Sequence, residues 1–255
     1  MKLVAIVLNY MSFEDSAACA QHLATIADIS AIVIVDNASP NDSWEKLTEI
    51  FTNVDKVHVL RTSHNGGYGY GNNFGAKYAF KELHANQLLI INPDAKIEAD
   101  AVHAVSSILS AHDRYGALAP KVIDSSGITK TWAQVWNVRT FADNITNTFS
   151  VLKHFVKQSP LPAPNNLGII EGDCISGACL FVNARLFIEL NGYDEKMFLF
   201  GEESVLGKKI KDSAHFSGIV TTYTYEHSHS KTINSIYSLR KKMHLMNQSH
   251  ISKQH

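Results

Sequence analysis

The sequence predicts an α/β fold: a mostly parallel sheet with helices on both faces. Three observations point there. Short apolar, β-branched runs alternate with amphipathic stretches through the first half of the chain. The runs carry no polar alternation, which marks strands buried on both faces. Four successive runs stop at polar or glycine-rich residues, as strands do where they leave a parallel sheet.

The elements follow in order. Leu3–Leu8 is the first strand, and Ser12 with Asp15 offers a Ser-x-x-Asp helix start. Ala31–Asp36 is a second strand that ends in a carboxylate. From Pro40 to Phe51 a helix is expected, with Asn41 or Asp42 as cap and Leu47, Ile50 and Phe51 on one side. Lys56–Leu60 is a third strand, residues 64–73 a Gly/Asn-rich turn, and 74–84 a helix. Gln87–Ile91 is the next strand, stopped by Asn92-Pro93-Asp94. Val102, Val105, Ile108 and Leu109 give Asp100–Leu109 a helical face, and Ala117–Val122 is a further strand. Residues 124–170, with Pro160, Pro162 and Pro164, break the pattern and read as an excursion. Beyond it, Cys179–Val182 is a strand, Ala184–Leu190 a helix, Asn191-Gly192 a turn, Glu202–Lys211 a helix and Ile219–Tyr225 a strand. The chain therefore divides into a half at 1–123, the excursion at 124–170, a second half at 171–232, and a tail at 233–255.

Composition narrows the function. Of 255 residues, 45% are hydrophobic and 18% charged, which excludes a disordered chain. A formal net charge of −1 argues against a nucleic-acid binder. No apolar run approaches the roughly 18 residues of a transmembrane helix, and the opening run reads as a strand rather than a signal peptide. Cys19, Cys174 and Cys179 are too few for a disulfide framework and lack metal-site spacing, so they read as buried thiols of a cytoplasmic protein.

Chemistry-bearing residues cluster after the strands. Asp36-Asn37-Ala38-Ser39 suits contacts to a ribose or a base, and equally an Asx turn. The run Asn65 to Asn73 holds Gly67, Gly69 and Gly71, which let a ligand approach the backbone, and Tyr68 and Tyr70 to stack on it; a tight turn is the plainer alternative. It is not GxGxxG and does not follow the first strand, which counts against a dinucleotide site. Asn92-Pro93-Asp94 projects Asp94 from a strand end, and one carboxylate with diphosphate oxygens suits Mg²⁺ or Mn²⁺. Glu202-Glu203 opens a helix after the apolar Phe198 and Phe200. One of the pair fits a general base under an apolar rim, while both fit a helix start. His227 and His229 alternate on one face of an extended segment, so one could complete a metal site centred on Asp94. Trp132 and Trp136 could stack on an acceptor sugar or pack within a helix.

Taken in order, VLNY (7–10), IVDNAS (34–39), NGGYGYGNN (65–73), INPDA (91–95), ISGACLFVNARLFIELNGYDEKMFLFGEE (175–203) and HSHSKT (227–232) resemble the family 2 glycosyltransferases. The resemblance implies a GT-A, Rossmann-like fold over 1–232. It is similar to the branch that builds bacterial capsule, O-antigen or lipooligosaccharide chains, including rhamnosyl- and galactosyltransferases. It implies inverting transfer from a nucleotide-diphosphate sugar, UDP-hexose or dTDP-rhamnose, to a glycan or lipid-linked saccharide, assisted by Mg²⁺ or Mn²⁺. By position, Asn9, Tyr10, Asp36, Asn37, Ser39, Asn65, Gly67, Tyr68 and Asn73 would line the nucleotide pocket. Asp94 matches the last acid of the family's DxD, whose first acid is Asn92 here. Glu203, with Glu202 beside it, matches the acid taken as base. Val205 replaces a further acid of many relatives. His227 matches a histidine that reaches the metal or diphosphate, and His229 fits a variant of that motif.

Two other readings stand beside this one. A nucleotidyltransferase that makes the activated sugar usually carries a Gly-rich basic loop after the first strand, where this chain has Asn9-Tyr10-Met11-Ser12-Phe13. A non-catalytic nucleotide- or glycan-binding module has no need of the paired glutamates. The tail, with Arg240, Lys241, Lys242 and Lys253 and an Ile236/Leu239/Met243/Met246 face, suggests peripheral contact with the inner face of the cell membrane, and equally fits a helix packed on the domain.

Overall fold

The computed structural model describes residues 2–123, 134–138, 162–199 and 201–227. The elements are β1 (Leu3–Asn9), α1 (Phe13–Ala24), β2 (Ile29–Asp36), α2 (Ser43–Phe51), β3 (Val57–Arg61), α3 (Gly67–Lys81), β4 (Gln87–Ile91), β5 (Ala95–Ile97), α4 (Ala99–Ala111) and β6 (Tyr115–Ile123). Then come β7 (Val135–Trp136), β8 (Ile169–Gly172), β9 (Cys174–Ile175), β10 (Cys179–Asn183), α5 (Ala184–Glu189), α6 (Glu202–Asp212) and β11 (Phe216–His227). A nine-stranded sheet runs β3-β2-β1-β4-β10-β6-β11-β5, with β8 also on β11; β7 and β9 pair separately. Strands β3, β2, β1 and β4 are parallel neighbours. β10 lies antiparallel between β4 and β6, so β6 and its parallel neighbour β11 point with the first four.

Both faces of this sheet are dry. Leu3, Ala5 and Val7 of β1 join Ile32 and Ile34 of β2 and Leu89 and Ile91 of β4 in one core, closed by α1, α2 and α4. The intervening residues, Val4 and Ile6, Val33 and Val35, Leu88 and Ile90, form the other core, closed by α3, α5 and α6. Period-2 side chains that are apolar on both faces are what a helix-covered sheet requires.

The largest departure from expectation is at α3. The glycine-rich segment is not a turn before a helix from 74; it is the first turns of the helix, which begins at Gly67. A Cβ at Gly75 would lie 2.8 Å from Val35 Cγ2 and 2.9 Å from Ile6 Cγ2, both on the sheet beneath. The helix lies closer to the sheet than a side chain there permits. Three smaller differences concern local chemistry. Ser12 precedes α1, but its hydroxyl donates to Asp15 Oδ2 at 2.6 Å instead of capping an amide. Ile50 is 38% exposed, while Leu47 and Phe51, with Ser43, form the buried face of α2. The three-residue strand β5 is too short to leave a sequence pattern.

The excursion returns to the fold as β7 and β8, and β9 then turns through Ser176-Gly177-Ala178 into β10. Cys179 pairs with Ile91, the last residue of β4. An antiparallel strand entering there brings its preceding turn to the same edge as the parallel strand ends. Ala178 O accepts from Asn92 N at 2.9 Å and ties the two segments.

Gly75→Ala is expected to lower stability by about 1–3 kcal/mol through overpacking, in spite of alanine's better helix propensity. Exposed Lys81→Ala on the same helix should stay within about 0.5 kcal/mol. Thermal melting of the two variants checks this, and an unchanged midpoint for Gly75→Ala would refute the close approach of α3.

Candidate active site at the carboxyl ends of the strands

Four residues close the ends of β1 and β2. Asn9, Asp36, Asn37 and Ser39 are all buried. Asn9 Nδ2 donates to Asp36 Oδ2 at 2.8 Å and Ser39 Oγ at 3.3 Å, and Asn9 Oδ1 accepts from Ser16 Oγ at 2.9 Å. Ser39 N donates to Asp36 Oδ1 at 3.0 Å. Arg61, next to Asp36 in the β2–β3 register, places Nε 3.5 Å from that oxygen and counters its charge. Asn37 Nδ2 donates to Asn65 Oδ1 at 2.9 Å and Gly67 O at 3.1 Å, and Asn37 Oδ1 accepts from Thr62 Oγ1 at 3.1 Å. These side chains knit three strand-end loops into one floor. Met11 and Ala38, at φ 64° and 53°, hold left-handed backbone beside it, and Tyr10 is exposed at its rim.

The helix N-terminus of α3 abuts this floor. Asn65 Oδ1 accepts from Gly67 N at 3.0 Å. Gly67 has φ 89°, and a Cβ there would meet Phe198 O, so only glycine fits without strain. Tyr68 does not offer a free ring for stacking. Its hydroxyl lies 3.1 Å from Gly177 O and 3.3 Å from Asn92 Oδ1, and its ring packs edge-on to Tyr193 with centroids 5.6 Å apart. Asn73 is placed elsewhere than the resemblance implies. It donates to Tyr193 O at 2.9 Å and Glu195 Oε1 at 3.0 Å and accepts from Tyr193 N at 2.9 Å, clamping the 192–195 turn. Its carboxamide is engaged there rather than with the strand-end floor, because residue 73 lies on the flank of α3 that faces α5.

Asp94 and His227 meet. His227 Nε2 lies 3.2 Å from Asp94 Oδ1, with the two side chains 13% and 14% exposed. The missed strand β5 explains why: it pairs antiparallel with β11 in the register Ala95↔His227. Asp94 immediately precedes β5, and His227 ends β11. One carboxylate and one imidazole make an N/O donor pair that suits a divalent transition metal with room for substrate oxygens. Among the described residues no three His, Cys, Asp or Glu gather as a complete metal cage. The donor set therefore fits a cation shared with a ligand, not a closed structural site. His229 lies outside the described residues.

Glu202 and Glu203 open α6 behind Gly201. Glu202 is buried, and Glu203 is half-buried against Gly177, where a Cβ would lie 3.1 Å from Glu203 Oε1. Burial pushes the Glu203 carboxyl above the usual carboxylate range, with Glu202 adding to the rise; the amides of Glu203 and Gly177 pull partly the other way. Trp136 Nε1 donates to Ser204 Oγ at 3.2 Å, so its indole braces the first turn of α6. Trp132, Phe200 and the 233–255 tail lie outside the described residues. The three cysteines are free and buried. Burial pushes the Cys19 thiol, whose Sγ lies 3.9 Å from Asn92 O beneath the Asp94 loop, up to about 12, with Asp94 adding to the rise.

A separate open cavity of about 490 Å³ lies between α3, α5 and α6, with Lys77, Lys81 and Lys209 at its edge and Phe187 and Tyr193 in its wall. It is lined by Asn73 and its partners Tyr193 and Glu195, and by none of the strand-end floor residues, Asp94, His227 or Glu203. Its three lysines are offset by Asp194 and Glu195, and Lys77 is already 3.5 Å from Glu195. Buried polar groups and carboxylates gather instead at the strand ends.

Several contributors escape sequence reasoning. Ser16 and Thr62 support the floor from ordinary helix and loop positions. Gly177 and the Tyr68 hydroxyl acquire their roles from a strand that enters more than 100 residues later in the chain. The one available signal was Asn-Gly-Gly at 65–67, an Asx-type cap before a helix.

The chain is similar to known proteins over most of its length. It is 24% identical over 201 residues to the low-salt glycan biosynthesis hexosyltransferase Agl10 of Haloferax volcanii, covering 79% of this chain and 59% of that one. It is 26% identical over 201 residues to the N-acetylglucosaminyl-diphospho-decaprenol L-rhamnosyltransferase of Mycobacterium tuberculosis, covering 74% and 62%. The chain thus spans about three fifths of the length of the curated relatives it matches. Its fold superposes on the mannosyltransferase PcManGT from Pyrobaculum calidifontis, solved with GDP-Man and Mn²⁺, with a TM-score of 0.62, 15% identity and coverage of 96% and 61%. No helix among the described residues is long and apolar enough to cross a membrane. The family model for glycosyl transferase family 2 matches residues 16–164, more than half of the chain, and the chain belongs to that family.

Proposed function

We propose that the protein transfers a sugar from a nucleotide-diphosphate donor to a glycan or lipid-linked saccharide, with inversion at the anomeric carbon. The observation that carries this is the placement of Glu203, a half-buried carboxylate with its affinity for protons raised, on the same edge as the Asp94–His227 pair. The 124–170 excursion separates a donor-binding half, 1–123, from an acceptor-side half, 171–232. UDP-hexose and dTDP-rhamnose are the proposed donors. The named hexosyltransferase and rhamnosyltransferase relatives support that choice, and the decaprenol-linked name supports a lipid-linked acceptor in surface-glycan assembly. The basic tail, 233–255, would contact the anionic membrane that holds such an acceptor.

In this reading the nucleoside rests on the floor formed by Asn9, Asp36, Asn37, Ser39 and Asn65, with Tyr10 at the rim and the Gly67 backbone at its side. Asp94 and His227 would hold Mg²⁺ or Mn²⁺, and a cation there supplies positive charge to the departing diphosphate. Glu203 accepts the proton of the acceptor hydroxyl as its oxygen bonds to the anomeric carbon. The bond from that carbon to the diphosphate breaks, and the electron pair leaves with the nucleoside diphosphate. Burial raises the proton affinity of Glu203, Glu202 behind it adds to the rise, and Glu202 itself touches no substrate. Trp136 acts through Ser204 on the placement of α6. The paired glutamates and the Asp94–His227 pair favour this chemistry over a non-catalytic module.

Glu203→Gln should reduce transfer by about 10²–10⁴-fold while leaving nucleotide binding in place; near-parental turnover would remove the base assignment. The acid limb of the parent's pH–rate profile should lie above the roughly 4.3 of an ordinary glutamate. A carboxyl whose folded pKa is raised contributes stability that is complete below the unfolded pKa and is lost as pH rises through the folded one. Glu203→Gln should therefore melt no lower than the parent at pH 7, and any advantage should vanish below the ordinary carboxylate range.

Melting against UDP, dTDP, GDP and CMP, with and without Mn²⁺, should show a metal-dependent rise for one nucleoside diphosphate. Asp94→Asn and His227→Ala should each abolish the metal-dependent part of that rise. An undiminished rise in both would place the metal elsewhere.

A further inference from the structure

The donor side and the acceptor side of this site belong to segments far apart in the chain, and one side chain touches both. Tyr68 lies in the first turn of α3. Its hydroxyl shares its proton between Gly177 O, at 3.1 Å, and Asn92 Oδ1, at 3.3 Å. Gly177 is the residue against which Glu203 lies, close enough that a Cβ there would be 3.1 Å from Glu203 Oε1. Asn92 begins the turn that carries Asp94. The Tyr68 backbone adds a third tie, because its N–H donates to Phe198 O at 3.0 Å in the segment leading to Gly201 and α6. The ring is held in turn by Tyr193, which packs edge-on to Phe187 with centroids 5.5 Å apart. Rigid aromatic packing below and two acceptors above leave the hydroxyl little freedom.

We propose that Tyr68 is a positioning residue whose hydroxyl holds the loop beneath Glu203 in register with the loop that carries Asp94. The inference rests on the reading of Glu203 as base and Asp94 as metal ligand. It departs from a stacking role for Tyr68, since the hydroxyl points into the protein and the ring is packed. A displacement of about 1 Å between a base and a donor can cost on the order of 100-fold in rate without weakening ground-state binding. The expected signature is therefore in kcat and not in donor KM.

Tyr68→Phe keeps the ring and removes only the hydroxyl. Turnover of UDP- and dTDP-sugar donors should show kcat lowered by about 10- to 100-fold, with donor KM and the UDP/Mn²⁺ melting shift within about twofold of the parent. Asn92→Ala should lower kcat in the same way, and the double variant should fall little below Tyr68→Phe, because the bridge between the two loops is broken in either single variant. Amide hydrogen exchange gives a readout independent of turnover: Tyr68→Phe should speed exchange at 176–178 and 92–94 together. Unchanged kcat, a raised donor KM with kcat intact, or unchanged exchange at both loops would each overturn the proposal. If Glu203→Gln turns over like the parent, the reading beneath it fails; if that variant is inactive while Tyr68→Phe is parental, only the Tyr68 inference fails.

Discussion

Dry burial of β1, β2 and β4 on both faces is the constraint from which the rest follows. A strand covered on two sides has no position for a polar side chain until it leaves the sheet. Asn9, Asp36 and Asn92 stand at those exits or one residue beyond. There they gather because parallel neighbours end together, and their loops must then satisfy one another's hydrogen bonds. The Asn9–Asp36–Ser39 and Asn37–Asn65–Thr62 contacts are that satisfaction. The same contacts make the floor rigid before any ligand arrives.

The second half of the chain supplies what a parallel sheet alone lacks. An antiparallel β10 delivers Gly177 to the strand-end edge, and α6 delivers Glu203 onto it. The two-strand union of β5 with β11 brings Asp94 and His227 face to face. Close seating of α3 on β1 and β2, permitted by its glycines, sets Tyr68 where these pieces meet. The site is thus assembled by packing decisions made on both faces of the sheet, and its parts are coupled through short hydrogen bonds and not through a single loop.

Much of this was readable in the residues. Apolar runs ending in Asn9, Asp36 and Asn92 marked the strands and their exits, and Gln87–Ile91 has the predicted bounds. Alternation of His227 and His229 on one extended face suggested that one of them joins Asp94, but the contact that joins them depends on a three-residue strand with no pattern of its own. Glycines at 67, 69 and 71 were ambiguous for a physical reason: one absence of side chain serves a turn, a ligand or a close helix. Only the partner surface, Ile6 and Val35 against Gly75 and Phe198 against Gly67, decides among them. The contacts of Asn73 and Tyr68 were hidden from the sequence for the same reason, since their partners at Tyr193 and Gly177 lie more than 100 residues away.

The central claim is that donor and metal bind at the strand-end edge and not in the cavity edged by Lys77, Lys81 and Lys209. A crystal structure with a nucleoside diphosphate and Mn²⁺, phased to show the manganese anomalous signal, tests it directly. The account predicts one strong peak within coordination distance of Asp94 and His227, with the nucleoside over Asn9, Asp36 and Asn37. A peak elsewhere, or diphosphate seated among the three lysines, would contradict it.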